Sequence, residues 1–271
     1  RWLNVGPVFM QPSEFCKITI VLTLAHHFRD SGSDSHRLMK LLRMAWSALL
    51  IFVPVVLIVR QPDLGTALLL LIIYLPIVFL MGLSVRTLLG LGVLGAVSLP
   101  IAWLSYLKPY QKERILTFLN PEGDPLGAGY HIIQSKIAVG SGQLWGAGLG
   151  EGTQGQLNFL PASHTDFIFA VFSEEWGFFG SMFVLLLFLL LTLWSLSGTF
   201  RSRDRVSVVL SVGVAAMITS HVLINIGMTL GLMPVVGVPL PFFSYGGSSM
   251  LTMMFGVGLL LNIRMRRFET T

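Results

Sequence analysis

The sequence predicts an all-α membrane protein with seven transmembrane helices and one large extracytoplasmic loop. Of its 271 residues, 54% are hydrophobic and only 11% are charged, whereas soluble domains carry about 25% charged residues. So few charges cannot cover a water-facing surface of this size, which disfavours a soluble enzyme, a disordered chain and a coiled coil. Long runs without Asp, Glu, Lys or Arg, separated by loops rich in proline and glycine, mark the spans.

The spans follow one another along the chain at about 12–28, 44–59, 64–82, 87–106, 165–195, 206–230 and 246–263. The first carries Glu14 and Lys17 within its opening turns, and Pro54 predicts a kink in the second. Residues 206–263 contain no Asp, Glu, Lys or Arg, and the prolines of the segment 231–245 divide them into the last two spans.

The connections at one end of these spans carry most of the lysines and arginines. Because short cytoplasmic loops are enriched in Lys and Arg, that end is predicted to face the cytoplasm. Residue 1 then lies outside and residue 271 inside, and two long connections, about 107–164 and 231–245, lie outside. Loops longer than about 12–15 residues are usually functional, so we expect the chemistry on the outer face.

The long outer loop contains the pattern G-x-G-x-x-G at Gly150, Gly152 and Gly155. A dinucleotide site would need a strand before the motif and a helix that opens on it, and the sequence predicts neither here. We therefore expect a tightly folded loop packed against the bundle. Within the same loop, residues 130–139 have apolar side chains at helical spacing and predict a short helix in the membrane interface.

Ionisable residues at membrane depth are functional candidates, because burying their charge is costly. Lys17 pairs either with Glu14, three residues earlier on the same helix face, or with a carboxylate from another span. Asp63 either complements the helix dipole at the start of its span or forms a salt bridge with Arg60 or Lys17.

Asp166 is the strongest candidate for chemistry, because it lies at the outer mouth of a span beside aromatic residues and after a long loop. Poor solvation on one side should raise the pKa of its carboxyl group, which suits a general base acting on a sugar hydroxyl. The alternative is a helix N-cap, formed by Asp166 or Thr165. Glu174 and Glu175 are expected to be buried, paired and structural.

Positive charge near the outer mouth would favour an anionic ligand such as a pyrophosphate, although solvated loop cations are the alternative. For substrate binding we predict Arg1, Arg60, His164, Lys136 and Ser173. His131 and His164 do not form a zinc signature. His221, in an apolar span, is expected to be a core residue hydrogen-bonded to a neighbouring helix.

Several separate motifs resemble the SEDS family (shape, elongation, division and sporulation), and they occur in order along the whole chain. They are Gln11-Pro12-Ser13-Glu14, Gln61-Pro62-Asp63-Leu64-Gly65-Thr66, Asp124-Pro125-Leu126-Gly127-Ala128-Gly129-Tyr130, Gly152-Thr153-Gln154, His164-Thr165-Asp166-Phe167-Ile168-Phe169-Ala170 and Pro239-Leu240-Pro241-Phe242-Phe243-Ser244-Tyr245-Gly246-Gly247-Ser248-Ser249. The triplet 152–154 and the run 234–239 are more similar to the elongation branch, RodA, than to the division branch, FtsW.

The resemblance implies a peptidoglycan glycosyltransferase of the bacterial inner membrane that polymerises lipid II during cell elongation and shape maintenance. It also implies a class B penicillin-binding protein as partner, and no nucleic acid. Asp166 matches the family's essential acid in the outer loop, Lys17 its intramembrane lysine, and Asp63 the acid of its Gln-Pro-Asp motif. Family members have ten spans, so residues 1–271 are expected to form one transmembrane domain that lacks the first three.

The mechanism that the resemblance implies is an inverting displacement with Asp166 as general base and Lys17 tuning its carboxylate. The leaving pyrophosphate would be stabilised by the outer cations or by a divalent metal ion such as Mg²⁺. Two other functions stay open at this point. They are a flippase for a lipid-linked precursor and a non-catalytic scaffold for a penicillin-binding protein.

Overall fold

The computed structural model describes residues 3–5, 8–31, 37–105, 108–123, 128–156, 159–160, 162, 164–201 and 204–266. Arg1, which we predicted to bind substrate, lies outside these residues. A short antiparallel hairpin opens the chain, in which β1 (Leu3–Val5) pairs with β2 (Val8–Met10) and Asn4 lies opposite Phe9. All other regular elements of the described residues are helices.

The long helices are α1 (Pro12–His27), α2 (Arg37–Arg60), α3 (Leu64–Leu80), α4 (Val85–Ser105), α8 (Ile168–Arg201), α9 (Arg205–Thr229) and α10 (Gly247–Arg266). Each of the seven predicted spans coincides with one of them. Between α4 and α8 lie α5 (Pro109–Leu119), a 3₁₀ turn (Pro121–Gly123), α6 (Ala128–Ser141) and the single turn α7 (Thr153–Gln156). Helix α6 confirms the short helix predicted for 130–139.

Four stretches of the described residues are long and apolar enough to cross a membrane: Leu38–Arg60, Ile168–Phe200, Arg205–Thr229 and Gly247–Met265. Helix α3 is apolar but shorter, with 17 residues. Many large apolar side chains point outward from these helices, as lipid-facing surfaces require. The all-α membrane fold is confirmed, whereas the number of seven spans stays a prediction.

Helices α2 and α8 depart most from the predicted bounds. Helix α2 begins at Arg37 rather than near residue 44, so Lys40 and Arg43 lie on its first turns and not in a loop. Helix α8 runs from Ile168 to Arg201, so it begins three residues after the predicted start at 165 and ends six residues after the predicted end at 195. The hydropathy pattern did not indicate that α2 extends back to Arg37, because charged residues are interspersed with leucines over this first part of the helix.

The described chain forms two compact units. The first comprises 1–82, 187–222 and 241–271, and the second comprises 83–186 and 223–240. In the first unit α1 packs closely on α9, where a Cβ added to Gly213 would lie 2.5 Å from Cγ1 of Val21. In the second unit the buried side chains of Ala138, Leu160, Phe167 and Ala170 form a small core.

Helix α8 is broken at Gly177, whose backbone has φ 64° and ψ −161°. The loop after α6 fills this break with its own backbone. Its Ala147 and Gly148 N–H groups donate to the carbonyls of Glu174 and Glu175, and the Phe178 and Phe179 N–H groups donate to the carbonyls of Gln143 and Leu144. The polar groups freed by the break are thereby satisfied, as a membrane setting demands.

The contact between loop and helix is so close that it requires glycine on both sides. A Cβ added to Gly142 would lie 2.0 Å from the Ser173 carbonyl oxygen, and one on Gly146 would lie 2.1 Å from that of Glu175. Gly177 has a positive φ, and its added Cβ would lie 2.3 Å from the Gly146 nitrogen. The glycines of this loop therefore serve backbone packing.

Candidate functional site

Asp166 lies in a tight turn that leads into α8. The carbonyl of Ala162, which has a left-handed φ of 54°, accepts hydrogen bonds from the N–H groups of Thr165, Asp166 and Phe167 at 3.1 to 3.3 Å. The Phe167 side chain is 3% exposed and belongs to the small core of the second unit. The backbone that carries the Asp166 carboxylate is thus fixed from both sides.

A third attachment comes from Asn225 on α9, which the sequence analysis did not single out. Its side-chain amide donates to the carbonyl of Asp166 at 2.9 Å and to the carbonyl of Val238 at 2.7 Å. Asn225 is fully buried. This one amide therefore ties the Asp166 turn to the proline-rich segment after α9. The only signal in the sequence was an isolated amide within a charge-free apolar span.

The carboxylate of Asp166 itself is half-buried and accepts no hydrogen bond from any residue that the structure describes. Burial raises the pKa of this carboxyl group, and the positive charge of Arg114 opposes the rise less strongly. An N-cap formed by Asp166 is not supported, because no N–H of the first turn of α8 in the described chain donates to its carboxylate. An N-cap formed by Thr165 stays a prediction. Gly237, at φ 70°, faces the carboxylate so closely that an added Cβ would lie 3.4 Å from Oδ2.

Glu174 and Glu175 have a different role from Asp166. The Glu174 carboxylate, in a side chain only 1% exposed, accepts from the Thr153 hydroxyl at 3.3 Å and from the Gln154 and Gly155 N–H groups at 3.0 and 3.4 Å. Glu175 accepts from the N–H of Gly150 at 3.1 Å. The G-x-G-x-x-G segment is therefore a folded loop, as the sequence predicted, and these two acids hold it. Glu174 is buried as expected, whereas Glu175 is only partly buried.

Lys17 lies at the centre of a buried polar cluster in the first unit. Its Nζ is 2.7 Å from Oε1 of Glu14 and 2.7 Å from Nε2 of His221. The tautomer of the His221 imidazole decides which of the two nitrogens donates in this contact. The pairing with Glu14 and the core role of His221 are confirmed. The predicted tuning of Asp166 by Lys17 stays a prediction.

Asp63 is the N-cap of α3. Its carboxylate accepts from the Thr66 N–H at 3.2 Å and from the Thr66 hydroxyl at 3.0 Å. The Gln11 side-chain amide donates to it at 3.3 Å. The dipole-complementing position that we predicted is therefore confirmed, and the Gln-Pro-Ser-Glu and Gln-Pro-Asp motifs meet at this carboxylate. A supporting part in catalysis stays a prediction.

The remaining candidates for substrate binding have varied surroundings. Arg60, Lys136 and His164 are exposed. Ser173 is 2% exposed, and its hydroxyl donates to the Phe169 carbonyl and accepts from the Ser181 hydroxyl. It lines an apolar cavity of about 290 Å³ between α6, α8 and the end of α9. The binding role of all four stays a prediction.

A metal site built from protein ligands is not apparent among the described residues, where no three His, Cys, Asp or Glu side chains come together. Mg²⁺ is often held by one or two carboxylates together with substrate phosphates, and Asp166 alone could offer such a ligand. One carboxylate does not define a site, so no step below is routed through a metal ion.

Comparison with known proteins gives a consistent picture. Residues 1–269 match the family model FtsW/RodA/SpoVE, described as a cell cycle protein. The chain is 45% identical to the peptidoglycan glycosyltransferase MrdB of Escherichia coli, over 98% of this chain and 71% of that protein. It is 36% identical to the peptidoglycan glycosyltransferase RodA of Treponema pallidum, over 98% and 77%.

A solved structure shares the fold. It was described as showing structural coordination of polymerization and crosslinking by a peptidoglycan synthase complex. This chain matches it with a TM-score of 0.80 at 34% sequence identity, covering 98% of this chain and 73% of that one.

Proposed function

The chain belongs to the FtsW/RodA/SpoVE family, and we propose that Asp166 is the general base with which this peptidoglycan glycosyltransferase polymerises lipid II. The observation that carries the proposal is the state of the Asp166 carboxylate. It is half-buried on a rigid turn, its pKa is raised by burial, and no described residue donates a hydrogen bond to it. An acid kept in this state can accept a proton from a substrate.

In the proposed step, the carboxylate of Asp166 takes the proton from a hydroxyl of the acceptor sugar. The freed oxygen attacks the anomeric carbon of the donor, where a new C–O bond forms as the bond to undecaprenyl pyrophosphate breaks. The electron pair of the broken bond leaves with the pyrophosphate. The donor linkage is α and the polymer linkage β, so one displacement with inversion is sufficient and no covalent enzyme intermediate is needed.

The rigidity of the turn contributes to this step because a base must be held within hydrogen-bond reach of the proton it abstracts. Ala162, Phe167 and Asn225 fix the backbone of Asp166 without touching its carboxylate. Gly237 leaves room beside Oδ2, where any larger residue would place a Cβ in contact with the carboxylate.

The leaving pyrophosphate requires positive charge. Arg114 is the cation whose field acts on Asp166, and we propose that it also attracts the pyrophosphate. Arg1, Arg60 and Lys136 are proposed to add to this potential, with His164 and Ser173 contacting the sugars. Lys17 and Asp63 hold the starts of α1 and α3 in place, and we propose that they support catalysis.

The proposed location is the bacterial inner membrane, with Asp166 on the extracytoplasmic face. The Lys and Arg distribution among the short loops supports this orientation. The proposed partner is a class B penicillin-binding protein, which would cross-link the glycan product during cell elongation. The similarity to a chain described in a complex that coordinates polymerization and crosslinking supports this pairing.

Polymerisation assays test the proposal. Purified protein in detergent receives lipid II, alone and with a class B penicillin-binding protein whose transpeptidase site is blocked by penicillin, and glycan chains are resolved on a gel. We expect abundant product from the unaltered protein and at least about 100-fold less from Asp166→Asn. Glu151→Gln, which removes an exposed acid from the same unit, is the matched control and should retain activity.

The same assay separates the other functions. A scaffold or a flippase would give no glycan in detergent, whether lipid II is added alone or together with the penicillin-binding protein. Full activity in a correctly folded Asp166→Asn protein would contradict the role of Asp166 while leaving the enzyme class intact.

A further inference from the structure

A group of exposed aromatic and aliphatic side chains surrounds the break in α8. We call it the aromatic collar, and it consists of Leu144, Trp145, Leu149, Trp176, Phe178 and Phe179. Trp145 is 80% exposed and Leu149 is 78% exposed, although both are large and apolar. The Trp145 and Phe179 rings contact each other, with centroids 4.9 Å apart. Side chains of this type are not left in bulk water without a reason.

The length of α8 indicates what surrounds the collar. Helix α8 has 34 residues but is interrupted at Gly177, so the straight part that can cross the hydrocarbon core of about 30 Å is the part after the break. The part after Gly177 consists of about 24 residues and covers roughly 36 Å, enough to cross the core with some tilt. The break at Gly177 then lies near the outer edge of the hydrocarbon.

The distribution of charge along the same helix agrees with this placement. Glu174 and Glu175 immediately precede the break, and residues 176–200 contain no Asp, Glu, Lys or Arg. Arg201 ends the helix on the side that the charge rule assigns to the cytoplasm. The apolar part of α8 thus begins where the collar is.

The loop that fills the break is suited to the same environment. Residues 140–150 contain no charged side chain. Four hydrogen bonds to α8 satisfy backbone groups on both sides of the contact, so this irregular segment does not need water for those groups. Trp is enriched where membranes meet water, because its ring is apolar and its N–H is polar.

We propose that the aromatic collar is a membrane anchor that lies in the headgroup region of the outer leaflet. The exposed apolar surface of α8 continues without interruption from the collar to Phe183, Leu186 and Leu190, so the occupant of the collar surface is lipid. One consequence concerns Asp166. It precedes Gly177 by 11 residues, so its carboxylate lies on the water side of the hydrocarbon edge.

Site-directed spin labelling tests the anchor. Cys16, the single cysteine, is replaced by Ala, and a nitroxide is attached to Trp145→Cys, to Trp176→Cys or to the control Glu151→Cys. The proteins are reconstituted into vesicles of three parts phosphatidylcholine and one part phosphatidylglycerol. Collision rates with oxygen, which concentrates in lipid, and with a water-soluble nickel chelate are then measured by electron paramagnetic resonance.

The anchor predicts that labels at 145 and 176 collide several times more often with oxygen, relative to nickel, than the label at 151. Two results would overturn it. Nickel access at 145 equal to that at 151 would place the loop in water, and shielding at 145 from both reagents would place it against protein. Trp176→Cys provides a second position if the label at 145 disturbs the loop, and unchanged thermal unfolding shows that each variant is folded.

Discussion

Asp166 and Glu174 are two acids at the same end of α8, and their surroundings are opposite. Glu174 is almost completely buried and accepts three hydrogen bonds from the α7 segment. Asp166 is half-buried, and none of the described residues donates to its carboxylate. A carboxylate with its acceptor sites filled holds a loop in place. A carboxylate that is fixed through its backbone but left without donors remains able to take a proton.

The cluster around Lys17 is structural, like the Glu174 carboxylate. Lys17 contacts Oε1 of Glu14 and Nε2 of His221 in a buried environment, and Oε2 of Glu14 has no partner among the described residues. On this comparison, changes at Lys17 and Glu174 should reduce stability, and changes at Asp166 should reduce activity alone.

The largest effect is expected for Asp166→Asn. General base catalysis contributes about 10²- to 10⁴-fold to a rate, so polymerisation should fall by that factor. Because the folded-state pKa of Asp166 is raised, the folded protein binds its proton more tightly than the unfolded chain does. Ionisation at neutral pH therefore destabilises the fold, and the neutral Asn variant should be at least as stable. Glycan synthesis and thermal unfolding measure the two quantities, and a clear loss of stability would break the comparison.

Lys17→Met should be the most destabilising change. Removing one partner of a buried ion pair costs about 3–5 kcal/mol, because the other charge stays buried alone. The double variant Glu14→Leu/Lys17→Met removes both charges and should recover most of the loss, as measured by denaturant unfolding in detergent.

The activity of this double variant sharpens the comparison. A stable but inactive protein would mean that Lys17 also supports catalysis. A stable and active protein would limit Lys17 to a structural role.

Glu174→Gln should have a smaller effect on stability. Hydrogen bonds to a charged group contribute about 1.5–3 kcal/mol, and a neutral amide cannot accept from all three donors as well as a carboxylate does. We expect the free energy of unfolding to fall by about that amount and proteolysis within residues 150–156 to become faster. The remaining polymerisation activity should keep its normal pH dependence. An unchanged unfolding midpoint would contradict the structural role of Glu174.

Arg114→Gln should have the smallest effect on stability. It should weaken the attraction for the pyrophosphate modestly and shift the pH dependence of the reaction. The Arg114 charge lowers the pKa of Asp166 against the larger effect of burial, so its removal should raise that pKa. On acidification, the variant would then lose activity at a higher pH than the unaltered protein does. Lys112, whose ammonium lies 5.9 Å from the Trp103 ring centroid, is the matched control, and Lys112→Gln should leave the pH profile in place.

Much of this arrangement could be predicted from sequence because its causes are local. Charge-free runs gave the positions of the long helices, the spacing of Glu14 and Lys17 gave their pairing, and Asp63 before an apolar run gave the N-cap. The acid at the mouth of α8 was recognisable because charge is rare in such a chain.

The rest depends on contacts between distant segments. His221 reaches Lys17 across 204 residues of sequence, and Asn225 reaches the Asp166 carbonyl across 59. The break at Gly177 exists only because the loop from Gly142 to Gly148 supplies hydrogen bonds to it. An isolated glycine in an apolar run gives no indication of such a partner.

The pH dependence of polymerisation in the unaltered protein and in Asp166→Asn tests the central claim most directly. The account predicts that the unaltered protein loses activity on acidification, at a pH above the ordinary aspartate pKa of 3.8, because its base becomes protonated. The residual activity of Asp166→Asn should lack that loss. If both proteins lost activity over the same acidic range, another group would be the base and the role assigned to Asp166 would be wrong.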